Sequence, residues 1–280
     1  MGIPNASSRM AGPMRQLTPQ ALEGEIHRPI EVTADDMAGL RSDAVVACVR
    51  RTLTSRGIVC FRLPEFSNET LFDIASVVGE PAAEGVFAAP ASATTRDGLH
   101  LLADPIWRPS SPGISLLTAG AGAGGAGGLI AVSRVEVWEM LSPAMRCYLA
   151  EMEASHDASL PLALACETPD ELRGLAALRE RYPPRRNALS VRLGANGKTA
   201  LGVSPSFTAA IHGVPVEEGR AILDYLKALF DVPDIQHRIE WEEGLVVIWD
   251  PRVALLFPFG DSDLPFPVCC APLKVSREVD

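Results

Sequence analysis

Trp249-Asp250-Pro251-Arg252-Val253-Ala254-Leu255-Leu256, read together with Leu102-Ala103-Asp104 far upstream, is the stretch on which the reading of this chain turns. Just before the first stretch, the apolar run Leu245 to Trp249 reads as a strand, and 268–275 reads as a second closing strand. Helices flank these strands in the sequence. Thr33 can cap one whose first turn holds Asp35 and Asp36 and whose apolar stripe is Leu40, Ala44, Val45, Cys48 and Leu53. Others are expected over 143–153, over 169–181 with Thr168 as cap, and over 216–230, where Ile222, Leu223, Leu226 and Leu229 share a face. Residues 1–30 carry Pro, Ser, Met and Gly without periodicity. They read as a loosely ordered lead-in to a single domain over 31–280.

Composition narrows the function classes. The chain has 280 residues, 47% of them hydrophobic, and a formal charge of −10, which argues against non-specific binding to nucleic acid or to an anionic membrane. The arginines at 179, 181, 185 and 186 are a local exception and read as a solvated helix end and loop, with an anionic ligand or carrier protein as the sharper alternative. No basic start leads into an apolar segment and no apolar run is long enough to span a bilayer, so a cytoplasmic location is expected. Six cysteines lack zinc-type spacing and read as buried thiols, while Cys269 and Cys270 adjoin on an expected strand, so one should face inward. The run from Gly120 to Gly128 lacks the Lys-Ser/Thr of a phosphate loop and reads as an inter-strand loop.

Several segments, in order, resemble the TauD/TfdA family of iron(II)- and 2-oxoglutarate-dependent dioxygenases. Gly57-Ile58-Val59-Cys60-Phe61-Arg62 is similar to its first core strand, and 71–79 to the helix that follows. Asp104, Trp107 and Pro112 match the spacing of His-x-Asp, Phe and a proline pair. Gly127-Gly128, Leu141-Ser142-Pro143, Ser204-Pro205-Ser206-Phe207-Thr208 and Trp249-Asp250-x-Arg252 fall in register as well. The resemblance covers about residues 56 to 275. It implies a mixed α/β fold with a mainly β core: a double-stranded β-helix, or jelly roll, with helices outside.

The family holds iron with two histidines and a carboxylate. By this resemblance the histidine positions are Leu102 and Leu256, and only Asp104 survives. The positions implied for gripping 2-oxoglutarate are Ile130, Pro267 and Ala271, and none offers the guanidinium fork or hydroxyl such a co-substrate needs. All five losses are expected to meet in one cavity, with no metal and no cofactor. His100, two residues early, is the one histidine placed to stand in through a bulged strand. The resemblance puts His27, His156, His212 and His237 on helices or loops away from the pocket.

A pocket stripped in this way is expected to be apolar and to take a largely apolar small molecule. Asp104, with neither metal nor arginine beside it, should then have a raised pKa and move a proton in a cyclisation, isomerisation, dehydration or pericyclic step. Trp107 would be a stacking wall and Arg252 a hydrogen-bond donor, against the plainer readings of a turn cap at Asp104, a core residue at Trp107 and a brace for Asp250 at Arg252. Two other classes stay open: a non-catalytic pseudoenzyme that binds a ligand, a protein partner or a second copy of itself, and a dioxygenase with unusual ligands.

Overall fold

The computed structural model describes residues 30–31, 42–63, 74, 78, 80–81, 104–108, 114–119, 127–163, 168–194, 197–260 and 268–274. Leu102, Pro267, His100 and Thr33 lie outside the described residues, but the helix carrying Val45, Cys48 and Leu53 begins at Asp43 after the extended N-cap Ser42, so Thr33 does not cap it. The strands are β1 (Ile30–Glu31), β2 (Ile58–Arg62), β3 (Glu80–Pro81), β4 (Ser115–Ala119), β5 (Gly127–Ser133), β6 (Glu153–His156), β7 (Arg185–Ala188), β8 (Ser190–Leu193), β9 (Lys198–Leu201), β10 (Thr208–Ile211), β11 (Gln236–Glu240), β12 (Leu245–Trp249), β13 (Ala254–Gly260) and β14 (Val268–Lys274). Ile30, which composition places in the lead-in, thus begins a strand.

Pairing is antiparallel except for β1 on β2. One sheet has the order β1-β2-β12-β4-β14-β3 and faces a second of order β11-β5-β13. A third, β10-β6-β7, and the hairpin β8-β9 stand beside them. The period-2 alternation of strand side chains sets the layers. Ile58, Cys60, Leu117 and Val247 of the first sheet meet Leu129, Ala131, Ile239 and Leu256 of the second, with Trp241 and Trp249 filling the space between. The opposite face of the first sheet, through Val59, Phe61, Leu116 and Ile248, packs on Val45, Cys48, Val49 and Leu53 of the helix Asp43–Arg56. The opposite face of the second, through Val132 and Leu255, packs on Val137, Trp138, Leu223 and Leu226 of the helices Arg134–Met140 and Val216–Ala228.

Local chemistry explains the element ends. Gly57 closes the first helix at φ 82°, its N–H donating to the Leu53 carbonyl at 2.8 Å, and a Cβ there would sit 2.7 Å from that of Ala254. Only glycine takes that left-handed turn so close to a neighbouring strand. Thr168 caps Pro169–Arg181 as expected, with Glu171 completing a capping box. The helix expected over 143–153 ends at Leu149, because Glu153 already belongs to β6 and pairs with Ala188. Among the described residues no helix is long and apolar enough to cross a membrane.

Candidate functional site

Asp104 stands at the entrance to a short 3-10 turn, Pro105–Trp107, and its Oδ1 accepts from the Ile106 N–H at 3.4 Å. The turn is pinned from β7, where Asn187 donates to the Ile106 carbonyl at 3.0 Å and Arg185 to the Arg108 carbonyl at 3.3 Å. Asp104 is therefore held rigidly, and it is only 4% exposed.

The expectation of a carboxylate without a cation fails at Arg134. This residue opens the helix after β5, where Ser133 serves as N-cap, and its Nη2 donates to Asp104 Oδ1 at 2.8 Å. Its Nη1 donates to the carbonyls of Val203 at 2.6 Å and Leu201 at 3.2 Å, while its buried Nε–H has no acceptor among the described residues. Burial lowers the Arg134 pKa, and the charge and hydrogen bond of Asp104 act against that shift. The basis for an Asp104 without a cation beside it is thereby removed. A cue lies in the sequence: a single cation inside the run Ile130-Ala131-Val132-Ser133-Arg134-Val135 needs a partner if that run is buried.

His156 is a strand residue, on β6, and not on a helix or loop. It is fully buried, with Nδ1 3.0 Å from Thr208 Oγ1 and Nε2 without a partner among the described residues. Burial, and next the nearby Arg134 charge, push its pKa down to about 3, so the ring is neutral at ordinary pH. His237 likewise lies on a strand, β11.

Among the described residues, two of the expected ligand positions, Ile130 and Leu256, face different layers. Leu256 pairs with Ala131 and lies in the core between the two sheets, whereas Ile130 pairs with Phe257 and packs on the helix side. Adjacent strand residues point to opposite faces, so the Ile130 side chain meets the helix layer and that of Leu256 the inter-sheet core. Ala271 sits on β14 opposite Leu116. Trp107 is a core residue, 4.9 Å from the Tyr182 ring in an edge-on arrangement and packed with Ala158 and Phe207. Arg252 braces its own turn, its Nη2 donating to Asp250 Oδ2 at 2.7 Å and its Nε to Oδ1 at 3.0 Å.

A cavity of about 640 Å³ lies beside the ion pair. Arg134 and Arg252 reach it, and Ile106, Val191 and Leu201 supply apolar wall, but Leu256, Ile130 and Trp107 do not line it. Arg108, Arg185, Arg186 and Arg192 also line it, with Glu153 as the carboxylate of the wall. This lining is far more cationic than the apolar pocket expected.

The model of the family described as "Taurine catabolism dioxygenase TauD, TfdA family" matches residues 14–255. The chain belongs to this family. It is 33% identical over 137 residues to the alpha-ketoglutarate-dependent dioxygenase cnsM of Penicillium expansum, a stretch covering 46% of this chain and 36% of that protein. The match thus spans about a third of that relative's length. Among solved structures, AAD-2 in complex with Mn(II) and N-oxalylglycine superposes with a TM-score of 0.70 at 17% identity, covering 97% of this chain and 100% of that one. A taurine dioxygenase from Burkholderia xenovorans gives 0.66 at 21% identity, over 88% of this chain and 86% of that one. These two likenesses bear on the fold alone.

The TauD/TfdA iron arrangement does not fit the described residues. Leu256 has no lone pair and is sealed in the inter-sheet core, and Asp104 is bound to a guanidinium. Among the described residues no group of three His, Cys, Asp or Glu side chains is gathered as a metal site would require.

Proposed function

We propose that this TauD/TfdA family member works without iron and 2-oxoglutarate, as a non-oxidative enzyme of the cyclase, isomerase, dehydratase or pericyclase kind built on a double-stranded β-helix. The observation that carries this reading is the buried Asp104–Arg134 pair. An Asp104 turned toward a metal dication would leave the Arg134 charge uncompensated, and separating a buried pair costs about 3–5 kcal/mol. The added dication would also face that guanidinium across the same carboxylate.

The cavity beside the pair supports a role for Arg134 in place of the one expected of Asp104. Arg134 spans both: Asp104 and two carbonyls lock its guanidinium, and the cavity receives its charge. A preorganised cation of this sort stabilises negative charge developing on a substrate. Asp104 acts as a positioning residue. Glu153, the carboxylate on the cavity wall, is the group placed to exchange a proton, and Ile106, Val191 and Leu201 take the apolar part of the substrate.

Anaerobic calorimetric titration of metal-free protein, first with iron(II) and then with 2-oxoglutarate, tests the reading. We expect no specific heat from either. Tight binding of both would overturn it and restore an oxygenase built on ligands other than Leu256.

A further inference from the structure

Among the described residues, six arginines border the cavity of a chain whose net charge is −10. Two of them are internally compensated, Arg134 by Asp104 and Arg252 by Asp250. Among the described residues no carboxylate pairs with the other four. Arg108 lies over the Trp107 ring, 5.1 Å from its centroid, and Arg185 donates to the Arg108 carbonyl. Exposed Arg186 follows on β7, and exposed Arg192 lies on β8, the next strand in the chain. Among the described residues Glu153 is the single acidic one on this wall.

Four cations held around one concave surface repel one another, and a bound anion relieves that repulsion. We propose that the cavity binds a small molecule through a phosphate or diphosphate group, with the apolar remainder of the ligand along Ile106, Val191 and Leu201. Phosphate is favoured over carboxylate by donor count. A carboxylate offers two oxygens and one charge, and a single guanidinium fork satisfies it. A phosphate group brings about −1.5 to −2 charges and three acceptor oxygens, and a diphosphate more, enough to engage several forks at once. The cavity volume, about 640 Å³, suits a ligand of that size. This inference rests on the cavity being the ligand site, as the proposed function holds, but not on the loss of iron.

The probe is inorganic pyrophosphate, titrated calorimetrically into the full chain and into an Arg186→Ala/Arg192→Ala variant, with citrate as a carboxylate control. Both replaced side chains are exposed, and circular dichroism checks that the fold is kept. We expect saturable binding that weakens with salt and falls at least about tenfold in the variant, since hydrogen bonds to charged groups are typically worth that much. Absence of saturable binding overturns the proposal, and so does equal affinity in the variant. Citrate binding as tightly as pyrophosphate would overturn the phosphate assignment. The iron titration reports separately: iron bound beside an intact pyrophosphate site would refute the iron-free reading and leave this one standing.

Discussion

Replacing Asp104 by asparagine keeps the side-chain shape and removes one charge, and so isolates what the buried pair contributes. Arg134 would keep its two carbonyl acceptors, Val203 at 2.6 Å and Leu201 at 3.2 Å, but its charge would have no counterion within hydrogen-bonding reach. Removing one partner of a buried pair typically costs about 3–5 kcal/mol. The two carbonyls and the asparagine oxygen place this case near the lower end, at about 3 kcal/mol, a large part of the ~5–15 kcal/mol that stabilises an ordinary domain. Urea unfolding of the metal-free protein, followed by circular dichroism and extrapolated to water, reads the loss as a lowered midpoint at unchanged slope. The double variant Asp104→Leu/Arg134→Met completes the cycle. Apolar replacement of a whole buried pair is often neutral, so it should recover most of what Asp104→Asn loses. A loss below about 1 kcal/mol, the worth of an exposed pair, would refute the reasoning, because Asp104 would then not be the counterion of Arg134.

His156 gives a pH signature with a definite sign. Its folded pKa of about 3 lies below the ordinary value of 6.5, so between these limits the unfolded chain takes up a proton that the native protein refuses. Its contribution is complete above pH ~6.5 and is lost as pH falls toward 3, at up to about 1.4 kcal/mol per pH unit. Urea midpoints of the native chain should drop relative to His156→Gln across that window and run parallel above it; parallel curves throughout would exclude His156 as the cause. The thiols should separate as sharply. Burial pushes the Cys60 thiol up to about 12, Cys48 is also buried, and Cys147 is exposed. Iodoacetamide at pH 8 should therefore alkylate Cys147 in the native protein and reach Cys48 and Cys60 only after unfolding, as peptide mass mapping would resolve.

The elements that local sequence governs are legible in the chain itself. Thr168 and Glu171 announce a helix start because both capping partners lie within four residues, and Leu223 and Leu226 repeat at the spacing that buries one helix face. Leu245 to Trp249 reads as a buried strand because every residue in it is apolar. The family, too, is legible, since its motifs keep their order along the chain. The helix expected to run to residue 153 shows the limit: nothing nearby says that Glu153 pairs with Ala188 across a sheet.

The site is legible only in part. Sequence alone determined that the side chains of Leu256 and Ile130 carry no nitrogen or oxygen atom. Tertiary structure decided what these residues face. One step along β5 turns a side chain from the inter-sheet core to the helix layer, so Ile130 and Leu256 part company through strand register. The counterion of Asp104 lies thirty residues on, and the four cavity arginines without a carboxylate partner come from the end of the turn after Asp104, from β7 and from β8. Helix caps and hydrophobic periods act between neighbours in the chain, whereas charges act through space, and only the packed fold determines which charges meet.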